Sequence, residues 1–251
     1  MRVVYSVPAR GFYVLRGLHT PADIDLMIGH VRELKATHPF SQPKMRDGSQ
    51  LSVKVSSWGA RGWWSDELGL RYTVKHPRGA PWPDLPRGWQ RFPLAYLYVA
   101  GYHASVGNPA WKWADWSLPE GPAAWLDEVD TCLVNYYAPD ANLGWHVDKT
   151  ETDLRSPILT MSLGAAARFE IELDGEVHKV TLCSGDGCVM AAGSRNAKHR
   201  IVKLVTPGEL AVEQQGDIFA GAPPADQIYN PFTTGARMSI TWRRTGLTKR
   251  T

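Results

Sequence analysis

Short apolar runs recur between turn residues through the second half of the chain, and they constrain the fold more than any other feature. Each run has the length of a β-strand, and Gly, Pro or Asp residues separate one run from the next. The runs cover residues 131–137, 158–163, 168–173, 177–182, 187–190 and 238–242. Many short strands separated by turns are typical of an all-β sandwich or jelly roll, so we expect that fold here.

Two helical patterns precede this region. Thr20 is a suitable N-cap, and Pro21 at the first helical position needs no N–H partner. Apolar residues then follow at helical spacing: Ile24, Met27, Ile28, Val31 and Leu34. This spacing predicts a helix over 21–36 with one face on the core. A weaker pattern runs over 89–102, so we expect a mainly β (α+β) fold with flanking helices.

Three segments lack this regularity. The segment 40–86 is rich in Gly, Pro and Trp and contains strand-like stretches at 51–55 and 70–74, which predicts hairpins with exposed aromatic residues. Residues 104–127 carry four tryptophans among Pro and Gly, and residues 206–236 form a connection much longer than an ordinary loop. We expect both to be surface insertions.

The composition is that of one globular domain over residues 1–251. Hydrophobic residues make up 43% and charged residues 21%, which allows a sizeable core without a disordered bias. No apolar run is long enough to cross a bilayer, and the first residues lack a signal-peptide core, so we expect a cytoplasmic monomer with no membrane contact.

The three cysteines, Cys132, Cys183 and Cys188, lack the paired spacing of a zinc site and are predicted to be reduced, packed thiols. Cys183 and Cys188 could meet across a turn, but a disulfide there would require an oxidising compartment.

Charge is distributed unevenly along the chain. Residues 1–112 contain 15 Lys/Arg and 7 Asp/Glu, whereas residues 113–251 contain 13 and 18. A basic, aromatic-rich half suits contact with a phosphate backbone and stacked bases, but it is also compatible with an ordinary solvated surface. Charge alone favours the ordinary surface.

A candidate metal site is provided by His146-x-Asp148 with the distant His199. Residues two apart on a strand point to one face, so His146 and Asp148 can bind one ion while another strand supplies His199. Two imidazoles and a carboxylate leave open coordination positions, as non-haem iron(II) oxygenases require. His-x-Asp also occurs by chance, and the alternative is that these histidines are unrelated.

The last predicted strand places Arg237 and Arg243 on one face, with Ser239 and Thr241 between them. Two arginines directed into a barrel require an anion, and a dicarboxylate such as 2-oxoglutarate would satisfy them bidentately. The alternative is a solvent-facing edge strand. The spacing alone does not decide between the two.

Several motifs occur in a fixed order along the chain. They are N-Y-Y-A-P-D-A-N-L-G-W-H-V-D at 135–148, D-L-R-S-P-I at 153–158, S-L-G at 162–164, G-D at 185–186, S-R-N-A-K-H at 194–199 and R-M-S-I-T-W-R at 237–243. In this order they resemble the AlkB-type nucleic-acid dealkylating dioxygenases, a family of iron and 2-oxoglutarate oxygenases. The resemblance covers residues 14–246 and implies a double-stranded β-helix (jelly roll) core over 130–246, with a nucleotide-recognition lid over 40–86.

The resemblance also implies roles for individual residues and the cofactors iron(II), 2-oxoglutarate and O2. The implied iron ligands, which are also the catalytic residues, are His146, Asp148 and His199. The implied 2-oxoglutarate contacts are Asn135, Tyr137, Arg237, Ser239 and Arg243. The implied contacts to an alkylated DNA or RNA base are Trp63, Tyr72, Thr150, Glu151 and Arg195, with Trp63 stacking on a flipped base opposite His146. If Trp63 is instead a core residue, its removal would lower stability and every activity together.

Four positions depart from the family pattern. Ser239 replaces the usual Asn of the closing strand, and Met190 and Leu70 replace aromatic residues of the best-known member. Thr150 replaces a carboxylate where that member reads the base edge, which leaves the lesion preference open.

Three functions are therefore compatible with the sequence. The first is oxidative dealkylation of DNA or RNA bases with aldehyde release, which is alkylation-damage repair. The second is the same oxygenase chemistry on a protein or small molecule, for which the segment 104–127 could form a substrate loop. The third is a β-fold binding module without turnover. A complete metal set with both arginines argues against the third, and Trp63 favours the first over the second.

Overall fold

The structure, a computed structural model, describes residues 2–213, 229–232 and 234–247. The strands within these residues are β1 (Arg2–Val7), β2 (Phe12–Arg16), β3 (Lys54–Trp58), β4 (Gly62–Asp66), β5 (Gly69–Thr73), β6 (Thr131–Tyr137), β7 (Leu143–His146), β8 (Ile158–Gly164), β9 (Ala166–Leu173), β10 (Glu176–Leu182), β11 (Gly187–Met190), β12 (His199–Val205) and β13 (Arg237–Arg243). The α-helices are α1 (Pro21–Thr37), α2 (Arg91–Gly107), α3 (Gly121–Glu128) and α4 (Pro207–Glu213). All six predicted strands of the second half are present, each within two residues of its predicted ends.

Two antiparallel sheets form the body of the molecule. The major sheet has the order β1-β2-β11-β8-β13-β6-β3, and the minor sheet has the order β10-β9-β12-β7. Alternate residues of the two sheets share one apolar cluster, in which Leu133 and Tyr137 of β6 accompany Phe169 and Ile171 of β9. The inner faces of the sheets therefore pack on each other, which confirms the predicted jelly roll with flanking helices.

The other face of the major sheet is covered by α1 and α2. Side chains on this outer face of the sheet, such as Met161 and Trp242, pack with Met27 of α1 and Tyr96 of α2 in a second apolar cluster. Because successive side chains on a strand alternate between faces, one sheet can supply both the helix-covered layer and the interior of the jelly roll.

Helix α1 begins where the sequence predicts. The Thr20 side chain accepts a hydrogen bond from the Asp23 backbone N–H, and the Asp23 carboxylate accepts one from the Thr20 backbone N–H, which completes a capping box. The five residues predicted to face the core are the ones buried. Helix α2 continues to Gly107, beyond the predicted end at 102, because no Gly-Asn-Pro break occurs before that point.

The prediction that 104–127 is a surface insertion is wrong. The segment holds the end of α2, the short 3-10 helix Trp113–Trp116 and α3, and Trp116 and Trp125 are each 2% exposed. Close approach is possible because α2 carries Gly101, where a Cβ would lie 2.3 Å from the Trp113 ring. This segment completes the layer over the major sheet and contributes no residue to the interior cavity described below. Of the other predicted insertion, 206–236, residues 207–213 form α4, whereas 214–228 and 233 lie outside the described residues.

The predicted lid segment is joined to the core. Strand β3 pairs with β6 in the major sheet, and β4 pairs with β5 as a separate hairpin. The predicted core range of 130–246 contains the eight strands β6 to β13, and β1, β2 and β3 extend the major sheet with residues outside that range. The expectation of exposed aromatic residues is wrong for Trp58, Trp63 and Trp82, which are 3%, 9% and 6% exposed. The Trp82 ring packs directly on Gly62, where a Cβ would lie 2.0 Å from it.

The three cysteines are free and buried, as predicted. Among the described residues, no helix combines the length and apolar character needed to cross a membrane.

Candidate active site

The predicted metal ligands meet at the open end of the minor sheet. His146 is the last residue of β7 and pairs directly with His199, the first residue of β12, so that their ring centroids lie 4.2 Å apart. Asp148 follows two residues after His146, beyond the end of β7 rather than on the strand as predicted. One ligand atom from each of the three residues lies within 4.8 Å of the others. The sequence pattern thus corresponds to a real cluster.

The hydrogen bonds of the two imidazoles fix which nitrogen is available to a metal. His146 Nδ1 lies 2.8 Å from the Gly144 carbonyl oxygen, and His199 Nδ1 lies 3.0 Å from that of Ala197. A carbonyl oxygen can only accept, so each Nδ1 must carry the hydrogen and each Nε2 presents a lone pair. Burial lowers the pKa of His199 to about 4, which keeps this imidazole neutral and competent as a ligand at neutral pH.

Asp148 is held as a carboxylate. Burial alone would raise its pKa, but the positive charge of Arg243 and the neighbouring imidazoles lower the pKa well below its ordinary value. Arg243 Nη2 donates to Asp148 Oδ2 at 2.9 Å. Two neutral imidazoles and one ionised carboxylate form the donor set of a facial triad for iron(II), and the residues present fit that metal.

These three residues line a cavity of about 290 Å³ between the two sheets. The predicted 2-oxoglutarate contacts line the same cavity: Asn135, Tyr137, Arg237, Ser239 and Arg243. Ser239 pairs with Asn135 across β13 and β6, and Asn135 Nδ2 lies 3.4 Å from Ser239 Oγ. The alternative of a solvent-facing edge strand is wrong, because β13 lies inside the major sheet between β8 and β6.

Arg237 is a buried cation without an ion-pair partner among the described residues. Its side chain is 1% exposed, and it forms no ion pair within 4.0 Å among the described residues. Nη2 donates to Ser162 Oγ at 2.8 Å, Nη1 makes two long contacts to backbone carbonyls, and Nε has no partner. Burial lowers the pKa of Arg237, as expected for a guanidinium removed from water. A carboxylate entering the cavity would satisfy this group.

Arg243, in contrast, is already paired. Its Nη1 donates to Glu151 Oε1 at 2.7 Å, in addition to the bond with Asp148. Arg195 Nη2 donates to the other Glu151 oxygen at 3.2 Å, and Tyr72 donates its hydroxyl to Glu151 Oε1 at 2.6 Å. This buried network links the hairpin β4–β5, through Tyr72, to the metal ligand Asp148.

The five predicted base contacts fall into two groups. Trp63 and Thr150 line the cavity. Tyr72, Glu151 and Arg195 lie outside its lining, in the buried network. Arg195 also donates to the backbone oxygens of Ser156 and Asp148 at 2.7 and 2.8 Å. The geometry therefore gives these three a positioning role, and direct contact with a base stays a prediction.

Trp63 is both a residue of the apolar core and a residue of the cavity wall, and its stacking on a base stays a prediction. It belongs to the apolar cluster with Val53 and Val55, and its ring also forms part of the cavity wall. Tyr72 pairs with it across β4 and β5, which joins the Trp63 strand to the buried network.

Sequence reasoning missed most of the apolar wall. Met45, Leu51, Phe169 and Ile201 line the cavity, yet they are far apart in sequence and carry no reactive group. Alternation on β9 and β12 was the available signal for Phe169 and Ile201.

Comparison with known proteins agrees with this geometry. The profile of the 2OG-Fe(II) oxygenase superfamily matches residues 11–243. The chain is 33% identical over 182 residues to an alpha-ketoglutarate-dependent dioxygenase AlkB homolog of Caulobacter vibrioides, covering 71% of this chain and 70% of that protein.

Two further proteins are similar. Over 131 residues the chain is 33% identical to the Arabidopsis thaliana DNA N(6)-methyladenine demethylase ALKBH1A, covering 51% of this chain and 34% of that protein. The solved structure of OsALKBH1 superposes with a TM-score of 0.69 at 23% identity, covering 97% of this chain and all of that one, and so shares the fold. The chain therefore belongs to the 2OG-Fe(II) oxygenase superfamily and, within it, to the AlkB-type dioxygenases, which use iron(II), 2-oxoglutarate and O2.

Proposed function

We propose that this enzyme removes alkyl groups oxidatively from the bases of DNA or RNA. The observation that carries the proposal is that Trp63, the His146/Asp148/His199 cluster and Arg237 all line one cavity. An indole on the wall of a metal site provides a flat surface on which an extruded base can stack. The similarity to a DNA demethylase supports the same substrate class.

The residues of the chain divide the work between them. His146, Asp148 and His199 would hold iron(II), and Arg237, with Asn135, Tyr137, Ser239 and Arg243, would orient 2-oxoglutarate. When bound, the iron, 2-oxoglutarate and O2 supply the oxidation that hydroxylates the N-alkyl carbon, while 2-oxoglutarate is decarboxylated to succinate. The hydroxylated product is a hemiaminal, and breaking its C–N bond returns the base and releases an aldehyde.

Exposed basic residues beside the cavity suit the phosphate backbone. Lys44 and Arg46 are exposed and flank Met45, which lines the cavity, and the exposed Lys149 adjoins Thr150. Backbone contacts of this kind position a strand without reading its sequence. They would hold a strand in place while the base enters the cavity.

The alternative of a protein or small-molecule substrate loses its main support, because the segment 104–127 does not reach the cavity. A cytoplasmic, monomeric enzyme is part of the proposal, and the three free, buried thiols are consistent with a reducing compartment. Light scattering during size-exclusion chromatography tests the oligomeric state.

The substrate class is tested by incubating iron-loaded protein with 2-oxoglutarate and methylated single-stranded DNA, duplex DNA and RNA. We expect succinate formation to rise when a methylated nucleic acid is added. The matched unmethylated oligonucleotide is the control. Equal succinate formation with methylated and unmethylated strands of every type would contradict the proposal.

A further inference from the structure

We infer that the cavity selects alkylated bases that carry no positive charge. This inference rests on the proposed function and specifies its substrate class. Alkylation of cytosine at N3 or adenine at N1 leaves a cation at neutral pH, because the ring nitrogen had no hydrogen to lose. Alkylation of thymine at N3 leaves a neutral base. A site that accepts the first kind of base must compensate a charge in a largely apolar cavity.

Among the described residues that line the cavity, Asp148 is the single carboxylate. It is a member of the metal cluster, and its Oδ2 accepts a hydrogen bond from Arg243 at 2.9 Å. This carboxylate is therefore committed to the metal and to Arg243, and it is not free to pair with a cationic base.

Glu151, the next carboxylate along the chain, is also committed. Its side chain is fully buried, and its two oxygens accept hydrogen bonds from Tyr72, Arg243 and Arg195. The sequence predicted a base contact for Glu151, but these three donors hold it behind the cavity wall. Freeing it would take a carboxylate partner away from both Arg195 and Arg243 in the interior, at a large cost in stability.

The remaining charges leave the site positive. Arg195 and Arg243 contact the carboxylates of Glu151 and Asp148, and Arg237 lines the cavity without such a contact. The site therefore contains three positive charges and two negative charges. Asp186, behind Arg237, is paired with Arg16 at 3.3 Å and adds no net charge. A divalent iron and the 2-oxoglutarate dianion cancel each other. A cationic base would therefore enter a cavity that already holds about one net positive charge.

Thr150 is the residue through which this selectivity can be tested. It lines the cavity, as do Trp63 and Leu70, and an acidic residue in its place would add a carboxylate to the lining. Its hydroxyl can donate or accept a hydrogen bond but cannot neutralise a cation. The face of Trp63 attracts a cation to some extent, but that attraction is the same whichever residue occupies position 150.

The test compares 3-methylcytosine with 3-methylthymine in otherwise identical single-stranded oligonucleotides, since the two bases have similar shapes and differ in charge. One unit charge acting across roughly 8–10 Å at an effective dielectric of about 20 corresponds to about a ten- to thirtyfold preference. We expect the wild-type kcat/KM to favour 3-methylthymine by about this factor. Thr150→Asp should shift the ratio of the two kcat/KM values towards 3-methylcytosine by a similar factor. Thr150→Asn should not, because Asn has the shape of Asp but no charge.

Binding provides a second readout that is independent of turnover. Fluorescence anisotropy of the two oligonucleotides with the metal-free protein should show the same order of preference, because the protein charges alone leave the cavity positive. Thermal melts of both variants check that the fold is kept.

The outcomes separate this inference from the proposed function. A wild-type preference for 3-methylcytosine, or equal shifts in Thr150→Asp and Thr150→Asn, would overturn the inference alone. If the wild type turns over neither of these strands but does turn over another methylated nucleic acid, the inference alone fails. If no methylated DNA or RNA strand of any type is turned over while 2-oxoglutarate is still decarboxylated, the proposed function fails and the inference falls with it.

Discussion

Replacing Arg237 by methionine separates the cost of burying this guanidinium from its role in anion binding. The side chain is 1% exposed, forms no ion pair among the described residues, and keeps one short hydrogen bond, to Ser162 at 2.8 Å. Methionine has a similar length and carries no charge. Replacing buried ionic groups by apolar ones of similar volume is neutral or stabilising by about 1–4 kcal/mol, so Arg237→Met should melt at the same temperature as the wild type or higher.

The same substitution should weaken 2-oxoglutarate binding. A charge-assisted hydrogen bond contributes roughly 1.5–3 kcal/mol, which corresponds to about ten- to hundredfold in affinity. Calorimetric titration of 2-oxoglutarate into anaerobic, manganese(II)-loaded protein measures this loss, and a thermal melt of the metal-free protein measures stability. A lower melting temperature with unchanged affinity would refute the reasoning, because Arg237 would then be a structural cation.

Arg243→Met is the matched control for this prediction. It leaves the ionised carboxylates of Glu151 and Asp148 without their partner, and breaking a buried pair from one side costs about 3–5 kcal/mol. We therefore expect Arg243→Met to lower the melting temperature and Arg237→Met not to lower it, although both arginines line the cavity.

Three further substitutions test the cavity wall, the buried network behind it and the basic surface beside it. Trp63→Ala should reduce turnover of a methylated oligonucleotide by about five- to a hundredfold, since base stacking contributes roughly 1–3 kcal/mol, while 2-oxoglutarate binding should be nearly unchanged. Glu151→Gln should weaken cobalt(II) binding by about ten- to a hundredfold, because it removes the charge that orients Arg243 beside Asp148. Lys44→Ala combined with Arg46→Ala should weaken oligonucleotide binding equally for all sequences. It should also lower the slope of log affinity against log salt concentration by the amount expected for the loss of about two phosphate contacts.

Each of these predictions has its own control. For Trp63→Ala the control is a thermal melt, and a loss of stability of about 3–5 kcal/mol with a parallel fall in every activity would identify a purely structural residue. For Glu151→Gln the control is Glu33→Gln on the outer helix α1, and equal cobalt(II) affinities would refute the positioning role. For the double variant the control is Arg32→Ala with Lys35→Ala, also exposed on α1, and an equal effect would mean that binding is not localised at the cavity.

The parts of the fold that the sequence predicted are those with local signals. The capping box at Thr20 and the period-2 runs of the second half act over a few residues, and both were recovered. The sequence placed His146 on a strand but did not give the bounds of β7, because its four partly exposed or exposed residues show no clear alternation. The segment 104–127 was misjudged, since its Pro and Gly content indicates a loop while the packing of Trp116 and Trp125 depends on distant residues.

The same division holds for the site. His146, Asp148 and His199 could be selected because their residue types and order are characteristic, and the structure brings them together. The role of Glu151 could not be read from the sequence, because its partners Tyr72 and Arg243 lie 79 and 92 residues away. Only the folded chain shows that this carboxylate faces arginines rather than the cavity.

Dealkylation is tested most directly by the mass of a methylated oligonucleotide after incubation with the iron-loaded enzyme, 2-oxoglutarate and air. We expect the strand to lose the mass of one CH2 group for each formaldehyde and each succinate released, and we expect Asp148→Ala protein to cause no such change. Succinate release without any loss of mass from any methylated DNA or RNA strand would contradict the central claim that the cavity dealkylates nucleic-acid bases.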